Sequence, residues 1–193
     1  RSSDHAVRAP GTFASMPVEP MSSVSTPLTS VGELVRELLR EPCPELFGRI
    51  MARYDTASLD LLPYLKWDPS NYTRNCVVRN ARFELLVICF EPGQRTSIHD
   101  YDSETAWIRV LGGELVTERF ELVDDGALRL RKASRFSTGE LMALSRSSSI
   151  HRFQNQGSTR AFTLNLYAPP MRKWRVFDER TGADQVRPAG PTG

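Results

Sequence analysis

Cysteine, net charge and long apolar runs are all low in this sequence, and each shortage excludes a class of protein. Three cysteines in 193 residues are too few for a disulfide framework or a cysteine-based zinc site, which favours a reducing, cytoplasmic compartment. The formal net charge is only +2 and the basic residues form no block, so neither nucleic acid nor a membrane surface is an expected partner. No run approaches the roughly 20 apolar residues of a membrane-spanning helix.

What remains is the composition of a globular protein. Hydrophobic residues make up 40% of the chain and charged residues 25%, and the length fits one domain with some tail. Residues 1–28 are rich in Ser, Pro, Thr and Ala without an apolar period, so they are predicted to be a disordered tail, as is the Pro- and Gly-rich stretch 183–193. Cys89, inside an apolar run, is predicted to be a small buried hydrophobe.

Helical patterns fill residues 29–65. Thr29 or Ser30 can cap the start of a first helix, and Pro42 and Pro44 end it. Apolar residues at spacings of three and four predict one buried face, formed by Leu34, Val35, Leu38 and Leu39. A second short helix is predicted over 45–54. Its inward residues are Leu46, Phe47 and Ile50.

From residue 72 onward the pattern changes to short β-rich runs between turn residues. The predicted strands are 75–78, 83–90, 106–111, 114–122, 127–131, 141–144, 150–154 and 160–167. Asp124-Asp125-Gly126, between two of them, is typical of a hairpin. About eight short strands with such turns predict an all-β barrel or a double-sheet jelly roll.

Two of the three histidines stand in distinctive settings. The first reads Gly93-x5-His99-x-Tyr101-x4-Ala106-x6-Gly113, and the second reads His151-x3-Asn155 after Gly139. The spacing is similar to that of the two cupin motifs, a glycine with a His-x-His pair and a second glycine, then His-x3-Asn. The chain therefore resembles a cupin in which Tyr101 replaces the second histidine of the pair.

Within the cupins, the cysteine dioxygenases match much better than the rest. The matching segments are Tyr72-Thr73-Arg74-Asn75, Ser97-Ile98-His99-Asp100, Ile150-His151-Arg152, Leu164-Asn165-Leu166-Tyr167-Ala168-Pro169-Pro170 and Phe177-Asp178-Glu179-Arg180-Thr181-Gly182. Five colinear matches are far more specific than any single motif. The sequence is therefore identified as a divergent member of the cysteine dioxygenase family.

This resemblance implies an all-β cupin jelly roll over residues 66–182, with the helical segment 29–65 packed against it. It also implies a mononuclear metal site at His99 and His151, with Tyr101 in the place of the third ligand. Fe(II) is the expected metal, and Ni(II) or another divalent ion is the alternative. Because residues two apart on a strand share a face, positions 99 and 101 are both expected inside the barrel.

The resemblance also implies roles for residues around the metal. Arg74 is expected to bind the substrate's carboxylate, because a guanidinium fork matches two carboxylate oxygens. Tyr167 is expected to present its phenol to the bound substrate, with Tyr72 and Asn165 as further substrate-binding residues. The expected reaction is oxidation of a small thiol amino acid, best L-cysteine, at sulfur by O2. Arginine at position 74 favours this class over the propionate thiols that relatives with glutamine there oxidise.

Three positions depart from the family. Tyr101 replaces a ligand histidine, either as a phenolate ligand or as a phenol turned away from the metal. Ala106 stands where the animal enzymes have a cysteine, so no thioether to Tyr167 can form. Asn165 replaces a histidine that hydrogen-bonds the tyrosine, and an amide cannot take up a proton near neutral pH.

These departures leave alternatives open. The product is either the sulfinate or a rearranged, sulfonamide-type compound in which the substrate's amine attacks the oxidised sulfur with loss of carboxylate. Asp100 or Glu104 is an alternative ligand if a bulge turns it inward. The rival functions are a non-catalytic cupin that binds a small molecule, and a metal-dependent isomerase or hydrolase that consumes no oxygen. The expected partners are a thiol and O2, with the chain a monomer or homodimer.

Overall fold

The computed structural model describes residues 26–57, 60–123, 126–145 and 150–189. In these ranges helix α1 spans Val31–Arg40, helix α2 spans Phe47–Arg53, and 3-10 turns lie at Pro44–Leu46 and Leu62–Tyr64. Ser30 caps α1, because its side chain accepts a hydrogen bond from the Glu33 N–H. No helix in these ranges is long and apolar enough to cross a membrane.

Strands follow the helices in the described part of the chain. They are β1 Thr73–Arg79, β2 Glu84–Phe90, β3 Ile98–Tyr101, β4 Thr105–Gly112, β5 Glu114–Leu122, β6 Leu128–Ser137, β7 Leu141–Ser145, β8 His151–Gln154, β9 Ala161–Ala168, β10 Lys173–Phe177 and β11 Asp184–Pro188. Every strand predicted from the sequence is present with small shifts at its ends, except that β6 extends to Ser137.

The strands form two antiparallel sheets that face each other. The five-stranded sheet has the order β1-β2-β9-β4-β7, and the six-stranded sheet has the order β11-β10-β3-β8-β5-β6. We call the first the helix-covered sheet and the second the open sheet. Buried residues of both sheets, such as Ile108 and Phe153, join in one apolar cluster between them. This arrangement confirms the all-β cupin jelly roll.

The helix-covered sheet is buried on both faces. All of β2 is buried, which fits its unbroken apolar run after Glu84. One face, including Leu85 and Val87, packs in a cluster with Leu34 of α1 and Phe47 of α2. Cys89 belongs to this cluster, and burial raises the pKa of its thiol to about 11, as suits a small buried hydrophobe.

The open sheet has only its inner face in the core. Its edge strands β6 and β11 are largely exposed, and Leu130 and Val186 are 50% and 59% exposed. The alternation along β3 turns His99 and Tyr101 inward, while Asp100 binds Arg175 of β10 through Nε–H···Oδ1 at 3.0 Å.

Some predictions from the sequence are wrong. Residues 184–188 of the predicted C-terminal tail form β11, because β10 offers them a full antiparallel backbone partner. Leu28, assigned to the N-terminal tail, is buried and bridges to Tyr54. Leu39 is 50% exposed, since the buried stripe of α1 is confined to Leu34 and Leu38. The remaining tail predictions for 1–25 and 190–193, and the turn residues Asp124 and Asp125, lie outside the described residues.

Candidate functional site

Three rings from the open sheet meet inside the barrel. His99 and Tyr101 lie on β3, and His151 of β8 lies directly opposite His99 in the antiparallel register. The ring centroids of the two histidines are 4.5 Å apart. The Tyr101 centroid lies 5.4 Å from that of His151 and 6.4 Å from that of His99. Strand alternation thus places the β3 pair on one face, and strand pairing supplies the third ring.

His99 has the protonation state and the orientation of a metal ligand. Its Nδ1 lies 2.8 Å from the carbonyl oxygen of Ser97, which accepts that nitrogen's hydrogen and leaves Nε2 for another partner. Burial lowers the pKa of His99 to about 4, although the bond to Ser97 opposes this, so the ring is neutral at physiological pH. A neutral imidazole oriented by a backbone carbonyl is the form that metals bind.

Tyr101 has a buried oxygen that needs a partner. The side chain is 4% exposed, and its phenol oxygen has no hydrogen-bond partner within the described ranges. Burial raises the pKa of this phenol above its ordinary value, and Tyr167 raises it further. An unsatisfied buried oxygen is unfavourable, and a cation beside the two histidines would satisfy it. The two buried imidazoles and this oxygen therefore fit a divalent metal ion.

Acidic side chains do not complete this set. Asp100 points away from it, held by Arg175, and Glu104 is exposed, so the idea that a bulge turns either inward is wrong. Among the described residues, no group of three or more His, Cys, Asp or Glu side chains is arranged to hold a metal. A metal at His99 and His151 would therefore depend on Tyr101 or on ligands from outside the protein.

A pocket lies beside His99 and encloses about 410 Å³ of space, part of it open to solvent. Its lining is Tyr72, Arg74, Ile88, Phe90, Thr96, His99, Ile108, Phe153, Thr163, Asn165, Tyr167, Met171 and Trp174. The pocket thus brings together four of the predicted substrate-binding or catalytic residues with one predicted ligand. Tyr101 and His151 are not part of this lining.

Arg74 is the charged group of the pocket. Its Nη2 is buried and has no hydrogen-bond partner among the residues described, and the lining just given contains no carboxylate. A buried guanidinium without a partner is unfavourable, and a carboxylate supplies the geometry that matches it. The pocket is therefore suited to a small anion that carries a carboxylate.

A hydrogen-bonded row on β9 leads to Tyr167. Thr163 Oγ1 donates to Asn165 Oδ1 at 2.6 Å, and Asn165 Nδ2 donates to Tyr167 Oη at 3.3 Å. Because Tyr167 accepts from the amide, its own hydroxyl hydrogen is left to donate to another group. Burial raises the pKa of Tyr167, with Arg74 opposing, so the phenol stays protonated.

The remaining lining includes aromatic residues, some of which sequence reasoning missed. Tyr72 stacks on Phe90 with centroids 5.4 Å apart and an interplanar angle of 17°. Trp174 of β10 lies edge-on to His99 with centroids 5.2 Å apart, and Met171 precedes it on the same wall. The signal for Trp174 was the alternation Trp174-x-Val176 just before the matched segment that begins at Phe177.

Known proteins resemble this chain in sequence and in fold. The family model for cysteine dioxygenase type I matches residues 19–180. Cysteine dioxygenase type 1 of Danio rerio is 31% identical over 138 residues, which cover 69% of this chain and 69% of that protein. The Homo sapiens protein is 31% identical over 137 residues, covering 69% and 68%.

Solved structures of low identity are also similar. An uncharacterized conserved protein with a double-stranded β-helix domain from Klebsiella pneumoniae has a TM-score of 0.49 at 15% identity, over 67% of this chain and 88% of its own. A protein from Thermus thermophilus also has a TM-score of 0.49, at 19% identity, over 57% and 95%.

Proposed function

The chain belongs to the cysteine dioxygenase family, and from that membership we propose that it oxidises the sulfur of a small thiol amino acid with O2. L-cysteine is the best candidate. The observation that carries the proposal is that one pocket is lined both by Arg74, whose Nη2 is buried without a hydrogen-bond partner among the described residues, and by His99 of the ring cluster. A thiol amino acid carries a carboxylate that can bind Arg74 and a thiolate that can bind a metal at His99.

His99, His151 and Tyr101 would hold the metal, with Fe(II) expected and Ni(II) as the alternative. When bound, the metal supplies thiolate binding and the activation of O2. The protein's contribution is to bury both imidazoles, to keep that of His99 neutral, and to leave the Tyr101 oxygen without a competing hydrogen-bond partner within the described part of the chain. Transfer of both oxygen atoms of O2 to a thiol gives a sulfinic acid and needs no external reductant.

Arg74 would orient the substrate. A carboxylate bound by the buried guanidinium fixes one end of the molecule, which lowers the entropic barrier to reaction at the other end. Since the described lining offers no carboxylate to stabilise an ammonium group, the substrate's amine is expected to bind in its neutral, electron-pair-donating form. This favours a compact amino acid over a substrate with a remote positive charge.

Tyr167 would donate its hydroxyl hydrogen to the bound substrate or to the oxygen being transferred. Asn165 and Thr163 fix the direction of that donation, because the amide N–H occupies the acceptor side of the phenol oxygen. Tyr72 offers a second phenol in the same pocket. The apolar lining, including Ile88 and Ile108, excludes water from the reacting atoms.

The product depends on Tyr101. With the sulfur oxidised and the amine neutral, one outcome is the sulfinate. The other is a rearranged, sulfonamide-type product: the amine exchanges an N–H bond for a bond to the oxidised sulfur, the carboxylate leaves as CO2, and O2 takes up the electrons released. A phenol oxygen in place of an imidazole adds negative charge at the metal when it ionises, which is the physical reason for keeping the second outcome.

Mass spectrometry of products from the purified protein, L-cysteine and air tests the proposal. Parallel reactions contain Fe(II), Ni(II) or no added metal, with O2 uptake and bound metal measured in each. Tyr101→His restores the family's third histidine and Tyr101→Phe removes the oxygen. Tyr64→Phe, outside the pocket, is the matched control. We expect a metal-dependent product with oxygen on sulfur, changed in yield or identity by both Tyr101 variants and not by Tyr64→Phe.

The outcomes separate the alternatives. Cysteine sulfinate supports dioxygenation, and a decarboxylated product with a sulfur–nitrogen bond supports rearrangement. Unchanged cysteine with every metal, although one metal is bound per chain, would overturn the proposal in favour of a binding protein. A product formed without O2 uptake would point to an isomerase or hydrolase.

A further inference from the structure

The segment that connects one sheet to the other forms one wall of the pocket. Residues 169–174, which we call the wall segment, connect β9 just after Tyr167 to β10. Two side chains of this segment line the pocket: Met171, which is 3% exposed, and Trp174, which lies edge-on to His99. The family resemblance assigned no role to either side chain, yet both touch the space that a substrate must occupy.

Polar groups hold the wall segment from several sides. Asp102 Oδ1 accepts hydrogen bonds from the backbone N–H groups of Arg172 at 3.0 Å and Lys173 at 3.2 Å. The carbonyl of Arg172 accepts from the Ala189 N–H at 2.8 Å. Arg79 Nη2 donates to the carbonyl of Met171 at 2.9 Å. These bonds give the segment a fixed backbone, so Met171 and Trp174 cannot retreat freely from a larger ligand.

The bond from Arg79 belongs to a second interaction, an ion pair between a partly exposed guanidinium and a buried carboxylate. Arg79 Nη1 binds Glu84 Oε1 at 2.7 Å, and the Glu84 side chain is fully buried. Glu84 lies opposite Tyr167 in the register of β2 and β9, and its Oε2 has no hydrogen-bond partner among the residues described. A buried carboxylate with one incomplete oxygen is unfavourable unless its remaining partner is well fixed. Here that partner is the guanidinium that also holds Met171.

We infer that Trp174 and Met171 are specificity-determining residues that limit the carbon chain of the substrate to the length found in cysteine. The Arg79–Glu84 pair is a positioning pair that holds this wall in place. The inference rests on the proposed function for the identity of the ligand, a thiol with a carboxylate. Arg74 fixes the carboxylate and the His99 end of the pocket receives the sulfur. With both ends held, an added methylene displaces carbon toward the apolar lining, to which the wall segment contributes the indole of Trp174 and the side chain of Met171.

The test is the ratio of kcat/KM for L-homocysteine to that for L-cysteine, measured by O2 uptake with the Fe(II)-loaded full chain. One methylene in a shaped apolar pocket changes such ratios by roughly 10- to 200-fold. Trp174→Ala is expected to raise the ratio at least about tenfold. Met171→Ala, an independent change in the same wall, is expected to raise it as well. Lys173→Ala, which removes an exposed neighbour, leaves it unchanged.

The Arg79–Glu84 pair is tested separately, by the effect of Glu84→Gln on the same ratio of kcat/KM values. Glu84→Gln keeps the shape of the side chain and alters no residue of the lining, so a purely structural role would lower the unfolding temperature and leave the ratio alone. We expect the ratio to rise in the same direction as in Trp174→Ala, by a smaller factor. Arg135→Ala, which breaks the exposed pair with Glu114, is the matched control and should leave the ratio unchanged.

Binding under argon separates failure of this inference from failure of the proposed function. Calorimetry on the Fe(II)-loaded protein gives the Kd ratio of the two thiols without turnover. If the wild type takes up oxygen but the homocysteine-to-cysteine ratios are unchanged in folded Trp174→Ala and Met171→Ala, the specificity inference is overturned. The proposed function is then still supported. If the wild type takes up no oxygen but the Kd ratio of the two thiols shifts in both variants, the specificity inference is supported and the proposed oxidation is not. If neither thiol binds or reacts, both are overturned.

Discussion

The two sheets of the barrel divide the site between them and differ in how they are held. The helix-covered sheet carries polar groups that line the pocket, namely Arg74, Thr163, Asn165 and Tyr167. The open sheet carries the three rings that would bind the metal. The first sheet is packed on both faces, whereas the second has one face toward solvent and exposed edge strands.

This difference follows from what each set of groups has to do. In the proposed function, Arg74 and the Thr163–Asn165–Tyr167 row must keep their directions before any ligand binds. Strand β9, which carries the row, is almost wholly buried, whereas β1, which carries Arg74, is a partly buried edge strand of the same sheet. In the proposed function, the rings of the open sheet would gain further order from a bound metal, because ligand bonds add to the folded state's stability. The following changes break or sharpen this division, from the largest expected effect to the smallest.

Removing a ring of the open sheet should affect the metal first. His99→Ala or His151→Ala is expected to weaken metal binding by more than about 100-fold, since even residues that only support a ligand cost 10- to 100-fold. Metal content after dialysis, measured by inductively coupled plasma mass spectrometry, checks this. Arg131→Ala, exposed on the same sheet, is the control. A variant that kept one metal per chain would refute the assignment.

Removing the positive charge of Arg74, on the helix-covered sheet, should weaken substrate binding and leave metal binding unchanged. Arg74→Gln is expected to raise KM for L-cysteine about 100-fold, because a charged hydrogen bond in a buried site is worth roughly 2–5 kcal/mol. Bound metal should stay at the wild-type level. Arg49→Gln, exposed on α2, is the comparison for charge alone. Loss of metal in Arg74→Gln would show that the two sheets do not act separately.

Truncating one leucine that packs on the helix-covered sheet and one that belongs to the open sheet tests the difference in burial between the two sheets. Leu38 of α1 is fully buried against the helix-covered sheet, whereas Leu130 of β6 is 50% exposed. Leu38→Ala is expected to lower the free energy of unfolding by about 2–5 kcal/mol and Leu130→Ala by less than about 0.5 kcal/mol. Urea denaturation of the two variants gives both values. Equal losses would contradict the view that only one sheet is packed on both faces.

Asn165 offers the finest test of the helix-covered sheet. Asn165→Leu removes the bond to Tyr167, and kcat is expected to fall about fivefold, since one neutral hydrogen bond contributes about 1 kcal/mol. KM for L-cysteine should change little. Asn165→His restores the family's residue and should recover most of kcat. If Asn165→Leu raised KM and left kcat intact, Asn165 would be a binding residue and not an orienting one.

Much of this architecture could be predicted locally. The eight β-rich runs and the cap at Ser30 depend on neighbours in sequence, so their patterns indicated the right elements. The inward orientation of His99 and Tyr101 followed from the two-residue period of a strand. Strands β10 and β11 were missed, and β11 was taken for a tail, because their stability comes from pairing with other strands and not from an apolar pattern of their own.

The sequence by itself therefore determined the class of the fold, the family and the residue types of the site. Only the tertiary structure decided that His151 lies opposite His99, that Arg74 has a buried nitrogen without a partner in the described ranges, and that Trp174 and Met171 close the pocket. The physical reason is that each of these facts depends on contacts between segments far apart in the chain. Strand register and burial fix such contacts, and the local propensities of the residues do not predict them.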